Sequence, residues 1–231
     1  MRMVLAFDAP TPMQTATLRP RFSCCDRPAI LHCTTRDHNR LGLQAQIWGA
    51  RALGIETVLA AMGDFVALAD QGHTTTVRDI DVFGLIEMAR ASGLQTGVVF
   101  DFAKERGGLA KAADRLRRKI DCGADFAVTQ PVYDERGMDD LGEAVLGLGL
   151  PIVLGILPLR SPRHADFLHN KVVGIDVPAS VREKMHAAAD PIAEGIRLSR
   201  ELASRARQRF AGACLMPPFD HFEDLGAILT G

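Results

Sequence analysis

Net charge, paired cysteines and long apolar runs are all scarce in this sequence. Its 231 residues carry a formal charge of −1 although 24% of them are charged. No chain-wide field therefore draws nucleic acid or an anionic membrane, and any phosphate site must be local. The five cysteines, Cys24, Cys25, Cys33, Cys122 and Cys214, show no CxxC spacing and no zinc-type His/Cys cluster. That excludes the common structural metal sites and reads as reduced thiols in a cytoplasmic protein. The apolar run within residues 1–8 is too short for a signal core or a membrane span. The GxGxxG turn of a dinucleotide-binding sheet is also missing.

What is present is a 47% hydrophobic chain, long enough for one sizeable core and expected to form one domain over residues 1–231. Short apolar or β-branched runs at 3–7, 29–34, 57–61, 96–100, 125–130, 151–156 and 210–215 predict seven strands. Helix-period segments separate them, such as Leu43, Ile47 and Ala50 before Gly54, or Leu109, Ala113, Leu116 and Ile120 before Gly123. The long gap from 156 to 210 predicts two further helices. One starts at Pro178 as its first residue and carries Val181, Met185 and Ala188; the other follows Asp190-Pro191 and runs to about Arg207. Continuous apolar strands alternating with helices belong to a parallel sheet covered on both faces. Without GxGxxG, a TIM-type (β/α) barrel is favoured over a doubly wound sheet.

Barrel chemistry sits at the C-terminal ends of strands, and polar residues recur there: Asp8, His32 through Asp37, Gly63-Asp64, Asp101, Thr129-Gln130, then Pro158 and Pro217-Pro218. Each has a plainer reading. Asp8 and Asp37 suit helix N-caps, His32 a structural histidine, Gly63-Asp64 a turn, and Gln130 a buried amide serving the backbone. Arg115, Arg117, Arg118 and Lys119 read either as a solvated helix face or as a local phosphate site.

Taken in order, several segments resemble the methylenetetrahydrofolate reductase family, particularly the bacterial branch fused to homocysteine S-methyltransferase. They are ILHCTTRDHNRL at 30–41, ALGI at 52–55 with Gly63-Asp64, RKIDCGADFAVTQPVYD at 118–134, and GILPLRS at 155–161 with His164 and 167–170. The resemblance covers about residues 4–217. It implies an FAD-binding barrel that interconverts 5,10-methylenetetrahydrofolate and 5-methyltetrahydrofolate, with a nicotinamide donor recharging the flavin, as part of one-carbon metabolism and methionine biosynthesis. By the same resemblance His32, Met62, Gly63, Asp64, Arg118 and Lys119 would contact the cofactor, with Asp64 also catalytic. Gln130, Tyr133, His164 and Leu168 would meet the folate, Leu168 standing where some members place an aromatic. No metal is implied.

The family's first strand ends in a glutamate followed by prolines, and that glutamate is its general acid. Residues 4–10 instead align with the family's second strand, so the first strand is expected to be missing. In the competing alignment, residues 8–10 are a degenerate form of the acid motif, with Asp8 as the acid. An open barrel edge would point to a second copy or partner subunit that covers it, a rearranged N-terminus, or a gene fragment. Three functions follow from these features: the flavin-dependent reductase, a non-catalytic flavin- or folate-binding homologue that has lost the acid, and a pterin-binding methyltransferase-type barrel without flavin.

Overall fold

The structure is a computed structural model that describes residues 4–6, 28–36, 38–63, 76–103 and 107–229. Asp8, Cys24, Cys25, Asp37 and Asp64 lie outside the described residues. The chain divides into two compact units, Thr11–Val99 with Leu116–Ala127, and Met1–Pro10 with Phe100–Arg115 and Val128–Gly231. Both are α/β, and the alternation of parallel strands with helices is compatible with a TIM-type barrel.

In the first unit, β2 (Ile30–Thr34) pairs parallel with β3 (Thr57–Ala61), which pairs parallel with β4 (Gln95–Phe100). Helix α1 (Arg40–Ala52) links β2 to β3. Asn39 caps it by accepting from the Gly42 N–H at 2.8 Å, and Leu43, Ile47 and Ala50 form its buried face. Helix α2 (Val82–Ala91) is capped the same way by Asp81 and buries Leu85, Ile86 and Ala89. The central strand β3 is buried on both faces over Thr57–Ala60, as a two-sided parallel strand should be. A β-carbon at Gly97 would overlap the ring of Phe126, so the glycine lets that buried ring lie directly on β4.

The second unit holds β5 (Phe126–Pro131), β6 (Ile152–Ile156) and β7 (Gly212–Leu215) as neighbours, with β6 and β7 parallel. Helix α4 (Glu135–Val145) follows β5. Between β6 and β7 lie α5 (Pro162–Lys171), α6 (Ala179–Ala187) and α7 (Pro191–Arg209), and α8 (Phe222–Leu229) ends the unit. Asp190 caps α7 by accepting from the Ile192 and Ala193 N–H groups, with Pro191 as the first helical residue. Pro178, expected as the first residue of α6, is instead its N-cap. Tyr133, Leu159, Ala165, Leu168, Val177, Val181, Met185 and Leu198 make this unit's apolar core.

Strand β1 (Val4–Ala6) corrects one expectation. Its segment was expected to take the place of a parallel barrel strand, but it pairs antiparallel with β7, Val4 opposite Leu215. A parallel direction is imposed by a crossover from a preceding strand. The antiparallel pairing of β1 needs no such crossover. Its pairing covers the β7 edge.

Among the described residues no helix is long and apolar enough to cross a membrane, and no group of three or more His, Cys, Asp or Glu is placed to hold a metal. Cys33 and Cys214 are free and buried, and burial pushes their thiols up to about 11 and about 12.

Candidate functional site

Register decides which sequence-selected residues share an end of the first unit. Thr34 pairs with Ala61, and Ala60 pairs with Val98, so the Val99 carbonyl lies level with Ala61. His32 is two residues before that level on β2, and Met62 and Gly63 follow it directly on β3. The Lys119 ammonium donates to the Val99 carbonyl at 2.6 Å, which brings this cation to the same strand ends. The Arg118 guanidinium lies over the Phe83 ring, 4.2 Å from its centroid, in the first turn of α2.

The ends of β2 and β3 are latched together. The Thr35 N–H donates to the Ala61 carbonyl at 3.2 Å and its hydroxyl to the Met62 carbonyl at 3.3 Å, while the Val77 N–H donates to the Arg36 carbonyl at 3.0 Å. Gly63 has φ +84°, in the left-handed region, and a β-carbon there would lie 3.1 Å from Arg36 Cβ and 3.2 Å from Thr34 Cβ. Only glycine takes this turn without strain, whatever else the position does. His32 keeps an open face to solvent, yet desolvation lowers its pKa, so its imidazole is neutral near pH 7.

In the second unit the residues at strand ends separate into two groups. Gln130 is half-buried near the end of β5. Its carbonyl accepts from the Thr129 hydroxyl, which in turn accepts from the Gly155 N–H, both at 2.8 Å. His164 is 8% exposed in the first turn of α5. Its Nδ1 accepts from the Arg160 N–H at 3.3 Å, and its own N–H donates to the Ser161 hydroxyl. Burial, then the Arg160 charge, lowers its pKa. Of the two, Gln130 keeps part of its surface open to solvent at the strand ends.

Tyr133 and Leu168 do not. Each is 6% exposed within the apolar core, among residues of α5, α6 and α7. The Tyr133 hydroxyl has no hydrogen-bond partner, and burial pushes its pKa up. Their visible role is packing.

Sequence reasoning did not select two features of this unit. Arg160 forms an ion pair with the buried Asp224 of α8, tying that helix to the loop after β6. Phe219, just beyond the Pro217-Pro218 pair that marks the end of β7, is 72% exposed, has φ +51°, and packs its ring 4.9 Å from that of His164. The proline pair signalled the loop, but nothing in the sequence signalled the backbone conformation of Phe219.

Comparison with known proteins adds four likenesses. The family model described as methylenetetrahydrofolate reductase matches residues 22–199. A Caenorhabditis elegans protein described as "Probable methylenetetrahydrofolate reductase (NADPH)" is 26% identical over 141 residues, which is 58% of this chain and 21% of that protein. This chain thus spans about a fifth of that relative's length. Among solved structures, a phosphonopyruvate hydrolase is 18% identical with a TM-score of 0.45 over 80% of this chain and 62% of its own. A dihydrodipicolinate synthase is 14% identical with a TM-score of 0.44 over 88% and 60%. With the family model matched over most of its length, the chain belongs to the methylenetetrahydrofolate reductase family.

Proposed function

We propose that the chain is a flavin-dependent oxidoreductase that interconverts 5,10-methylenetetrahydrofolate and 5-methyltetrahydrofolate with a nicotinamide electron donor. The observation that carries this reading is the gathering of His32, Met62, Gly63 and Lys119 at one end of β2, β3 and β4. These residues fit FAD in kind. A neutral imidazole can hydrogen-bond a polar ring edge without adding charge, and the neighbouring exposed Arg118 guanidinium suits a diphosphate. Bound flavin would supply the hydride chemistry.

The protein's own contribution is binding, orientation and proton handling. His32 would fix one edge of the cofactor, and Arg118 would hold its phosphates from a helix that Lys119 ties to the Val99 carbonyl. Gln130, whose side-chain amide both donates and accepts, would read the donor and acceptor pattern of a pterin. Asp64, which follows Gly63 in sequence, would carry the charge that bears on flavin potential and on the folate. His164 would add a neutral polar contact on the folate side, whereas Tyr133 and Leu168 support it only by packing. The cellular setting would be cytoplasmic one-carbon metabolism feeding methionine biosynthesis. A second copy or partner subunit is proposed to complete the assembly, which sedimentation would reveal.

Anaerobic titration with FAD tests the reading, followed by reduction with NADPH or NADH and then oxidation of 5-methyltetrahydrofolate with an electron acceptor. Binding and turnover, with turnover abolished in Asp64→Ala, are expected. A colourless protein that takes up no FAD would sink the proposal. A second reading, a flavin- or folate-binding homologue without turnover, is favoured by the antiparallel pairing of β1, which is not that of a parallel strand delivering the family's acid. Binding without turnover selects it. If Asp8 serves as the acid, Asp8→Asn loses turnover and keeps its flavin.

A further inference from the structure

We propose that Phe219, backed by His164, is a stacking face for a planar ring of the folate substrate. This rests on the folate reading above and assigns a further specificity-determining residue to it. Two features of Phe219 work against the fold and call for another explanation. Its φ of +51° and ψ of +37° lie in the left-handed region, which a β-carbon disfavours and where a phenylalanine is rarely found. Its ring is also left 72% exposed, although Met216, Pro217 and Pro218 immediately before it are buried. A glycine or asparagine would suit this backbone better, and a large apolar ring contributes most when removed from water. Strained residues of this kind cluster at ligand clamps.

The surroundings favour a flat ligand. Among the described residues the ring against Phe219 is that of His164, tilted by 52° at 4.9 Å between centroids. His164 is held from behind through the Arg160 N–H and Ser161, and Arg160 is itself anchored by Asp224. The backing ring is therefore fixed and uncharged near neutral pH, while the outer face of Phe219 is open. Both rings stand at the C-terminal ends of neighbouring parallel strands, His164 after β6 and Phe219 after β7, within the unit that carries Gln130. A rigid, exposed aromatic at a strand end is what a conjugated ring stacks on.

The test uses the full chain with FAD and measures affinity for 5-methyltetrahydrofolate and, separately, for NADPH by calorimetry. Phe219→Gly suits the backbone and removes the ring, so it is expected to fold with an unchanged or raised melting temperature. It should bind the folate about tenfold more weakly, toward the lower end of the loss for one aromatic stack. Phe219→Trp should keep wild-type folate affinity, and neither change should alter NADPH affinity. Equal folate affinity in Phe219→Gly and wild type, or a loss confined to NADPH, overturns the assignment while leaving the functional reading intact. A wild-type protein that binds no folate overturns both.

Discussion

Gly195→Ala should destabilise the protein even though alanine is the better helix former. Gly195 lies inside α7 and is buried. A β-carbon there would overlap the Leu159 carbonyl oxygen and lie 2.8 Å from its carbon. Carbon atoms pack at about 3.5–4.0 Å, so α7 would have to retreat by roughly 1 Å from the segment after β6. Forcing extra volume into a packed core costs about 1–3 kcal/mol. The gain in helix propensity offsets about 1 kcal/mol of that. A net loss of up to ~2 kcal/mol would lower the melting temperature by up to roughly 8 °C for a chain of this size. Gly49→Ala is the control. That glycine is also inside a helix, α1, but no atom would lie within 4 Å of its β-carbon. The same substitution should then stabilise by up to ~1 kcal/mol. Thermal and urea denaturation of both variants decide the matter. A Gly195→Ala protein as stable as Gly49→Ala would show that α7 does not approach Leu159 this closely.

Gly63→Ala places a β-carbon at φ +84° and should cost about 1–2 kcal/mol; under the proposed function it also weakens FAD uptake, so melting and flavin titration should fall together. Asp224→Asn leaves the Arg160 guanidinium without its buried partner and should destabilise by up to ~3 kcal/mol, read by urea denaturation. His164 has a folded pKa below its unfolded value of 6.5. Below pH 6.5 the unfolded chain therefore binds the proton more readily, and stability falls with pH until the folded pKa is passed. His164→Gln should flatten the stability profile in that window, and an unchanged slope there would refute the assignment. Arg118→Ala should weaken FAD binding more than Lys119→Met does, whereas Lys119→Met should lower the melting temperature more.

The six parallel strands β2 to β7 stood out in the sequence as short apolar runs, and the structure places them within two residues of those bounds, because a buried parallel strand must be apolar throughout. The start of α7 was equally plain at Asp190-Pro191, although the cap that Asp190 supplies there was not singled out. What could not be read depends on distant partners. A three-residue strand such as β1 carries no mark of its direction, and antiparallel pairing to β7 is set by a neighbour over two hundred residues away. Leu168 illustrates the same limit from a helix. With His164 and Ala165 it forms the buried face of α5, and that spacing says which side is covered but not whether a ligand or α6 covers it. The left-handed turn at Phe219 goes against the residue's own preference, so no local pattern announces it.

Arg118 and Lys119 are adjacent in sequence, yet their settings give them different work. Side chains on a helix lean toward its N-terminus, and Lys119, in the last turn of α3 (Gly108–Asp121), reaches the Val99 carbonyl, a bond that ties the helix to β4. A hydrogen bond from a charged group contributes about 1.5–3 kcal/mol. Turning that ammonium to a phosphate would break it, so the gain in binding is largely offset by the loss within the unit. Arg118 is exposed, and its guanidinium carbon lies 4.2 Å from the Phe83 ring centroid. A guanidinium held on an aromatic ring by its charge can still turn forked N–H donors to two phosphate oxygens. Neither cation is neutralised by binding the other's partner, so the two act in series, Lys119 fixing α3 against the sheet and Arg118 presenting its charge from that fixed helix. If the strand ends of this unit hold a diphosphate, Arg118 is the residue that binds it, and Lys119 positions the helix from which it does so.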